Sequence, residues 1–192
     1  MKVYTKIDQV KDCAGCVLTI GSFDGLHRGH QDIVKTLTTT AIAKGKKSVL
    51  ITFNPHPRHI LDKDNKLSLI MSIKQKKSLL KKLGIDTLLI IPFTNEFSKR
   101  TAENFMDNIV MKYFSPSGIV IGYDHHFGHN REGSPKFLKQ YAISRNINID
   151  IMKSMIVKYL ASIPNKNNSK TRYKDMGVRF PMTNKDEVII AG

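Results

Sequence analysis

Short, unbroken apolar runs alternate along the chain with segments whose apolar residues recur at helical spacing. The runs are residues 16–20 (CVLTI), 48–53 (SVLITF), 87–93 (TLLIIPF), 118–122 (GIVIG) and a weaker one over 147–151. Runs without polar alternation predict strands covered on both faces, as in a parallel sheet. Between them, Ile33, Val34, Leu37 and Ala41 mark a first helix, and Ile73, Leu80 and Leu83 a Lys-rich second one that stops at Gly84. Ala102, Phe105, Met106, Ile109, Val110 and Tyr113 form an apolar stripe behind Thr101, a capping residue type. Ser134-Pro135 is a cap followed by a first-turn proline, opening a helix that carries Leu138, Tyr141 and Ala142. The order β-α-β-α-β-α-β-α-β predicts an α/β fold, a doubly wound parallel sheet with right-handed crossovers. No repeat is visible. The text turns polar and irregular near its end, so residues 1–160 read as one domain and 161–192 as an irregular C-terminal tail.

Composition narrows the class. At 192 residues, 41% hydrophobic and 24% charged, the chain fits one globular domain. No apolar run approaches the roughly 18 residues of a membrane helix. The polar start has no signal core and two cysteines make no disulfide framework, so a cytoplasmic protein is expected. Lys and Arg number 31 against 16 acids, a net charge of +15 that attracts polyanions. The charge is spread rather than blocked, and no basic stripe is interleaved with aromatics. It reads as a solvated surface that favours phosphorylated small molecules, with no specific nucleic-acid face. Cys13-Ala14-Gly15-Cys16 has redox spacing but precedes the first strand without the helix such a motif needs, and reads as incidental.

The densest chemistry lies at residues 19–31, TIGSFDGLHRGHQ, where the first strand gives way to the first helix. Ligands of open α/β sheets bind at such turns. Gly21 and Gly25 let backbone approach a phosphate, and free N–H groups near Gly29 favour an anion. His27 and His30, three apart, share one face of the first turn and can donate to a phosphoryl group as its charge grows. The pattern points to phosphoryl or nucleotidyl transfer; a metal half-site and two incidental histidines are the competing readings. At residues 52–61, TFNPHPRHIL, Pro55 and Pro57 predict a rigid turn that can offer a flat wall to an aromatic ring, or simply end a strand. At residues 119–133, IVIGYDHHFGHNREG, Asp124 falls at a strand's carboxyl end. Gly128 and Gly133 there frame a loop expected to be mobile, whose Arg131 can meet phosphate bidentately. His125, His126 and His129 read as solvated loop histidines, with no Cys or Glu to complete a zinc site.

The H-R-G-H sequence after a first strand resembles the H-x-G-H signature of the nucleotidylyltransferase superfamily. The longer G-S-F-D-G-L-H-R-G-H-Q resembles one branch, the FAD synthetase (FMN adenylyltransferase) domain of bacterial bifunctional riboflavin kinase/FMN adenylyltransferases. The resemblance runs from about residue 17 to about residue 141, and T-F-N-P-H-P and G-Y-D-H-H-F-G carry it onward. It implies a Rossmann-like fold and transfer of AMP from ATP to FMN, giving FAD and pyrophosphate, with Mg²⁺ as cofactor. It implies His27 and His30 as the catalytic pair. Gly21, Ser22, Phe23, Asp24, Gly25, Gly29, Asp124 and Arg131 would bind ATP, and Asn54, Pro55, Pro57 and Phe127 the flavin. Phe105 fits a helix core as well as a ligand wall. Residues 169–174, SKTRYK, resemble the family's S-S-T-x-I-R motif, so Thr171 and Arg172 join the ATP set; lysine stands where the final arginine is usual. Residues 180–184 faintly resemble a riboflavin kinase motif, but with so little chain after them no kinase domain is expected. The alternatives are a nucleotidylyltransferase for another phosphorylated substrate and a non-catalytic flavin- or nucleotide-binding homologue.

Overall fold

Successive residues of a strand point to opposite faces, and here each face has its own helical cover. In the computed structural model, which describes residues 1–62 and 69–152, Val17, Leu50, Leu88 and Val120 pack on Val34, Leu37 and Leu80, while Leu18, Val49, Ile51, Leu89 and Ile119 pack on Met106, Phe114 and Leu138. That double burial is why the strand runs lack polar alternation. All the described residues lie in one unit, Met1–Ser154.

The strands are β1 (Lys2–Tyr4), β2 (Val17–Ile20), β3 (Ser48–Asn54), β4 (Thr87–Pro92), β5 (Gly118–Gly122) and β6 (Asn148–Met152). They form one sheet in the order β1-β4-β3-β2-β5-β6, every pairing parallel. The chain winds outward from β2 through β3 to β4, then crosses back to lay β5 on the other side of β2. The winding thus reverses between β2 and β5, the place where open α/β sheets bind ligands. The fold is the expected Rossmann-like, doubly wound one. β1 was not legible in the pattern: it is three residues long and largely exposed, and among the described residues it pairs with β4 alone.

The helices are α1 (Arg28–Ala43), α2 (Pro57–Leu61), α3 (Ile73–Lys82), α4 (Asn95–Ser98), α5 (Ala102–Phe105), α6 (Lys112–Phe114) and α7 (Pro135–Ile143). The two expected caps are present, and α3 has one the sequence pattern did not mark. Thr101 and Ser134 accept from the N–H groups of Asn104 and Phe137, and Ser72 and Gln75 close a capping box at α3. Two expectations need refining. The stripe over 102–113 is not a uniform α-helix: Met106–Met111 between α5 and α6 is a π-helical stretch. The Pro55–Pro57 turn continues into α2, with Pro57 at its first position and the His56 side chain accepting from Arg58 N–H. The tail expected over 161–192 lies outside the described residues.

Candidate active site

The segment joining β2 to α1 is held from several directions. Gly21 N–H donates to Ile51 O at 3.0 Å, extending the β2–β3 ladder. The Gly21 amide thus serves the sheet, and a Cβ at this position would stand 3.0 Å from the Phe23 ring. Beyond it the backbone turns through three positive φ values, 48° at Phe23, 71° at Gly25 and 40° at Leu26. Phe23 and Leu26 are buried at 2% and 1% exposure, and their packing holds this strained path. The Ser22 carbonyl accepts from Thr52 Oγ1 at 3.0 Å and from Lys76 Nζ at 2.5 Å. Asp24 Oδ2 accepts from Ile70 N–H at 3.3 Å, while its Oδ1 is buried without a partner among the described residues.

The two histidines meet as expected. His27 is the N-cap of α1, and its Nδ1 accepts from His30 N–H at 3.4 Å. An accepting Nδ1 assigns the ring proton to Nε2, leaving a donor at the exposed end of the ring. The rings stack at 3.7 Å between centroids, with 22° between planes, and Phe23 lies 5.1 Å from the His30 ring. A Cβ at Gly29 would stand 3.3 Å from the His27 ring, so a bare backbone is what lets that ring fold back over the helix start. His27 is exposed and His30 half-buried, its Nδ1 shut from solvent. Burial, then the neighbouring His27, pushes the His30 pKa down to about 4, against the pull of Asp124 and Asp24. His30 is therefore uncharged near neutral pH. Asp124 stands just past β5; a Cβ at Gly122 would lie 3.0 Å from its Oδ1 and 3.5 Å from Ile33 of α1, so the end of β5 meets the start of α1. The reversal of the winding thus brings residues from both sequence segments to one place.

A row of aromatic rings follows the carboxyl edge of the sheet. Phe53, Phe93 and Phe97 contact one another at 5.5–5.9 Å between centroids, Phe97 meets Phe105 at 6.1 Å, and Phe105 meets Phe127 at 5.6 Å. Phe105 is 3% exposed, a core residue; Phe127 is half-buried. Asn54 and Pro55 are exposed at the end of β3 and Pro57 is half-buried. Beside Phe97 and Pro92 a cleft of 680 Å³ opens against Ile7, Arg100 and Asn104; neither His27 nor His30 lines it.

The loop 128–132 is tied to the rest of the domain at several points. Phe127 and Gly133 exchange two backbone hydrogen bonds of 2.9 Å, His129 N–H donates to Arg100 O at 2.8 Å, and Glu132 accepts from Ala102 N–H at 2.6 Å. Arg131 is exposed, its guanidinium 3.4 Å from His126 Nδ1. His125 is not a solvated loop histidine. Its ring packs 5.5 Å from Phe127 with Nε2 closed off, and burial pushes its pKa down to about 4. Cys13 and Cys16 are buried free thiols in the core, and burial raises the Cys16 pKa strongly. Thr171 and Arg172 lie outside the described residues. Sequence reasoning missed Lys76 and Thr52, which reach the loop from other elements. The signal for Lys76 was a charge in register with Ile73 and Leu80 on an otherwise apolar stripe.

The described residues contain no helix long and apolar enough to cross a membrane. The FAD synthetase family model matches residues 9–161. A bifunctional riboflavin kinase/FMN adenylyltransferase of Buchnera aphidicola is 30% identical over 87% of this chain and 54% of its own length. The enzymes of that name from Listeria monocytogenes and Escherichia coli are 32% and 30% identical over 67% and 70% of this chain. The chain spans 41–54% of the length of these three relatives. A crystal structure described as a macrolide-efflux protein from Streptococcus pneumoniae superposes with a TM-score of 0.69 at 24% identity, covering 80% of this chain and 49% of that one, which supports the fold. With residues 9–161 matched by the family model, the chain belongs to the FAD synthetase family.

Proposed function

We propose that this chain is an FMN adenylyltransferase: ATP + FMN → FAD + pyrophosphate. The observation that carries the reading is the stacked His27–His30 pair at the start of α1, where the winding reverses, in a chain of this family. An FMN phosphate oxygen attacks the α-phosphorus of ATP in line. A P–O bond to FMN forms as the bond to the bridging oxygen breaks, and pyrophosphate leaves with that electron pair. The nucleophile is already anionic, so no strong general base is needed; positioning and charge stabilisation supply the rate.

His27 donates from Nε2 to the triphosphate. His30, neutral in the free protein, gains affinity for a proton as phosphate charge arrives beside it, so its pKa rises on binding ATP. Backbone around Gly21, Ser22, Phe23, Asp24, Gly25 and Gly29 seats the phosphates, Asp124 takes ribose or base, and Arg131, Thr171 and Arg172 close on the triphosphate. Asn54, Pro55, Pro57 and Phe127 form the flavin wall with the aromatic row. Among the described residues no group of three or more His, Cys, Asp or Glu makes a metal cage. Mg²⁺ suits such a place, since it keeps several waters and leans on substrate phosphates; Asp124, one of two carboxylates acting on His30, would help place it if it does not take ribose or base. When bound it would neutralise phosphate charge. We assign the protein to the cytoplasm, with small molecules as its partners.

Purified protein incubated with ATP, Mg²⁺ and FMN, with products separated by chromatography, tests the reading. FAD and pyrophosphate in equal amounts support it. Flavin bound with no pyrophosphate released would make the chain a binding protein instead.

A further inference from the structure

We propose that Lys76 is a positioning residue of the nucleotide site: it holds the Ser22–Phe23 peptide so that Phe23 N–H faces outward as a phosphate donor. The inference rests on the nucleotidyl-transfer reading above, in which Lys76 has no part.

Lys76 lies on the inner stripe of α3 and is 5% exposed, a rare place for lysine. A buried ammonium is costly unless it is hydrogen-bonded. Its Nζ donates to the Ser22 carbonyl at 2.5 Å, and Thr52 Oγ1, from β3, donates to the same oxygen at 3.0 Å. Burial lowers the Lys76 pKa while the nearby Asp24 carboxylate favours the charged form. Two donors from two elements thus draw one carbonyl toward the core.

Among the described residues only the Asn54–Pro55 peptide is cis, so the Ser22–Phe23 peptide is trans. In a planar trans peptide the C=O and N–H point opposite ways. With the carbonyl drawn inward, Phe23 N–H is turned away from Lys76, and it takes no partner among the described residues. The φ of 48° at Phe23 is one that an aromatic residue adopts only when its surroundings impose it. A cation on the carbonyl also polarises the amide and makes its N–H a stronger donor. Phe23 then serves twice, aiming an amide at the ligand and bracing the His30 ring.

The test compares wild type, Lys76→Met and Thr52→Val. It uses calorimetric titration with ATP and Mg²⁺, flavin fluorescence titration with FMN, thermal melting, and kcat and KM for each substrate. Methionine keeps the length of the side chain without donor or charge. Lys76→Met should weaken ATP binding by about tenfold or more, the scale of one charge-assisted hydrogen bond. FMN affinity should stay at the wild-type value and melting should remain cooperative. Thr52→Val should shift ATP affinity in the same direction by about two- to fivefold, the scale of a neutral hydrogen bond. Unchanged ATP affinity in a folded Lys76→Met protein would overturn the proposal, as would equal losses of ATP and FMN affinity. If Lys76→Met does not fold, Thr52→Val decides alone, and wild-type ATP affinity there overturns it. Wild-type protein that binds no ATP would overturn the nucleotidyl-transfer reading and this proposal together.

Discussion

His27 performs two tasks with one ring: Nδ1 caps the helix and Nε2 is left to donate. Its neighbour differs, since His30 is half-buried and uncharged near neutral pH. Replacing His30 with alanine should lower turnover by roughly 10²-fold, the cost of one preorganised donor, with melting temperature little changed. Steady-state pyrophosphate release checks this, and normal turnover would remove His30 from the reaction. At this scale much was legible, because H-R-G-H follows an apolar run and its spacing alone puts both rings on one turn. What the sequence did not show was tertiary. The Gly21 amide is taken by Ile51, a partner chosen by strand register. Lys76 looked like one lysine of many until the burial of its stripe was known.

Among the elements, the connection after β5 is a closed loop built by close approach. A Cβ on Gly133 would come within 2.6 Å of the Phe127 ring and 2.8 Å of its carbonyl oxygen. Gly133→Ala should therefore push Phe127 out of the aromatic row and cost about 1–3 kcal/mol, as overpacking does. Chemical denaturation measures the loss, and on the proposed function KM for FMN should rise more than KM for ATP. The sequence marked both glycines but not the anchors at Arg100 and Ala102, because these come from a segment nearly thirty residues earlier. The strands read cleanly for the opposite reason: a strand covered on both faces declares itself by composition. The π-helical stretch carries no comparable mark, since the apolar stripe through Met106 and Ile109 suits either helix.

The whole molecule carries a consequence of its two depressed imidazoles. His30 and His125 both fall from 6.5 to about 4 on folding. Between those values the unfolded chain binds protons that the native one does not, so stability falls as pH drops from about 6.5 toward 4. Melting across that window should show a loss of up to about 3 kcal/mol for the His125 ring and less for the half-buried His30, and a His125→Phe variant should lose the larger part of the effect. A flat profile would refute both shifts. The doubly wound architecture was readable from element order alone. Which two strands flank the reversal was not, because strand order is decided by how the chain crosses the sheet.

The Ser22 carbonyl is reached by side chains 30 and 54 positions further along the chain. On the proposed function, no short stretch could bind nucleotide by itself, because this loop takes its shape only once distant parts of the sheet have met. ATP would consequently select finished molecules over partly folded ones. Added nucleotide should raise the yield of a weakened variant by mass action alone, without hastening the early steps of collapse.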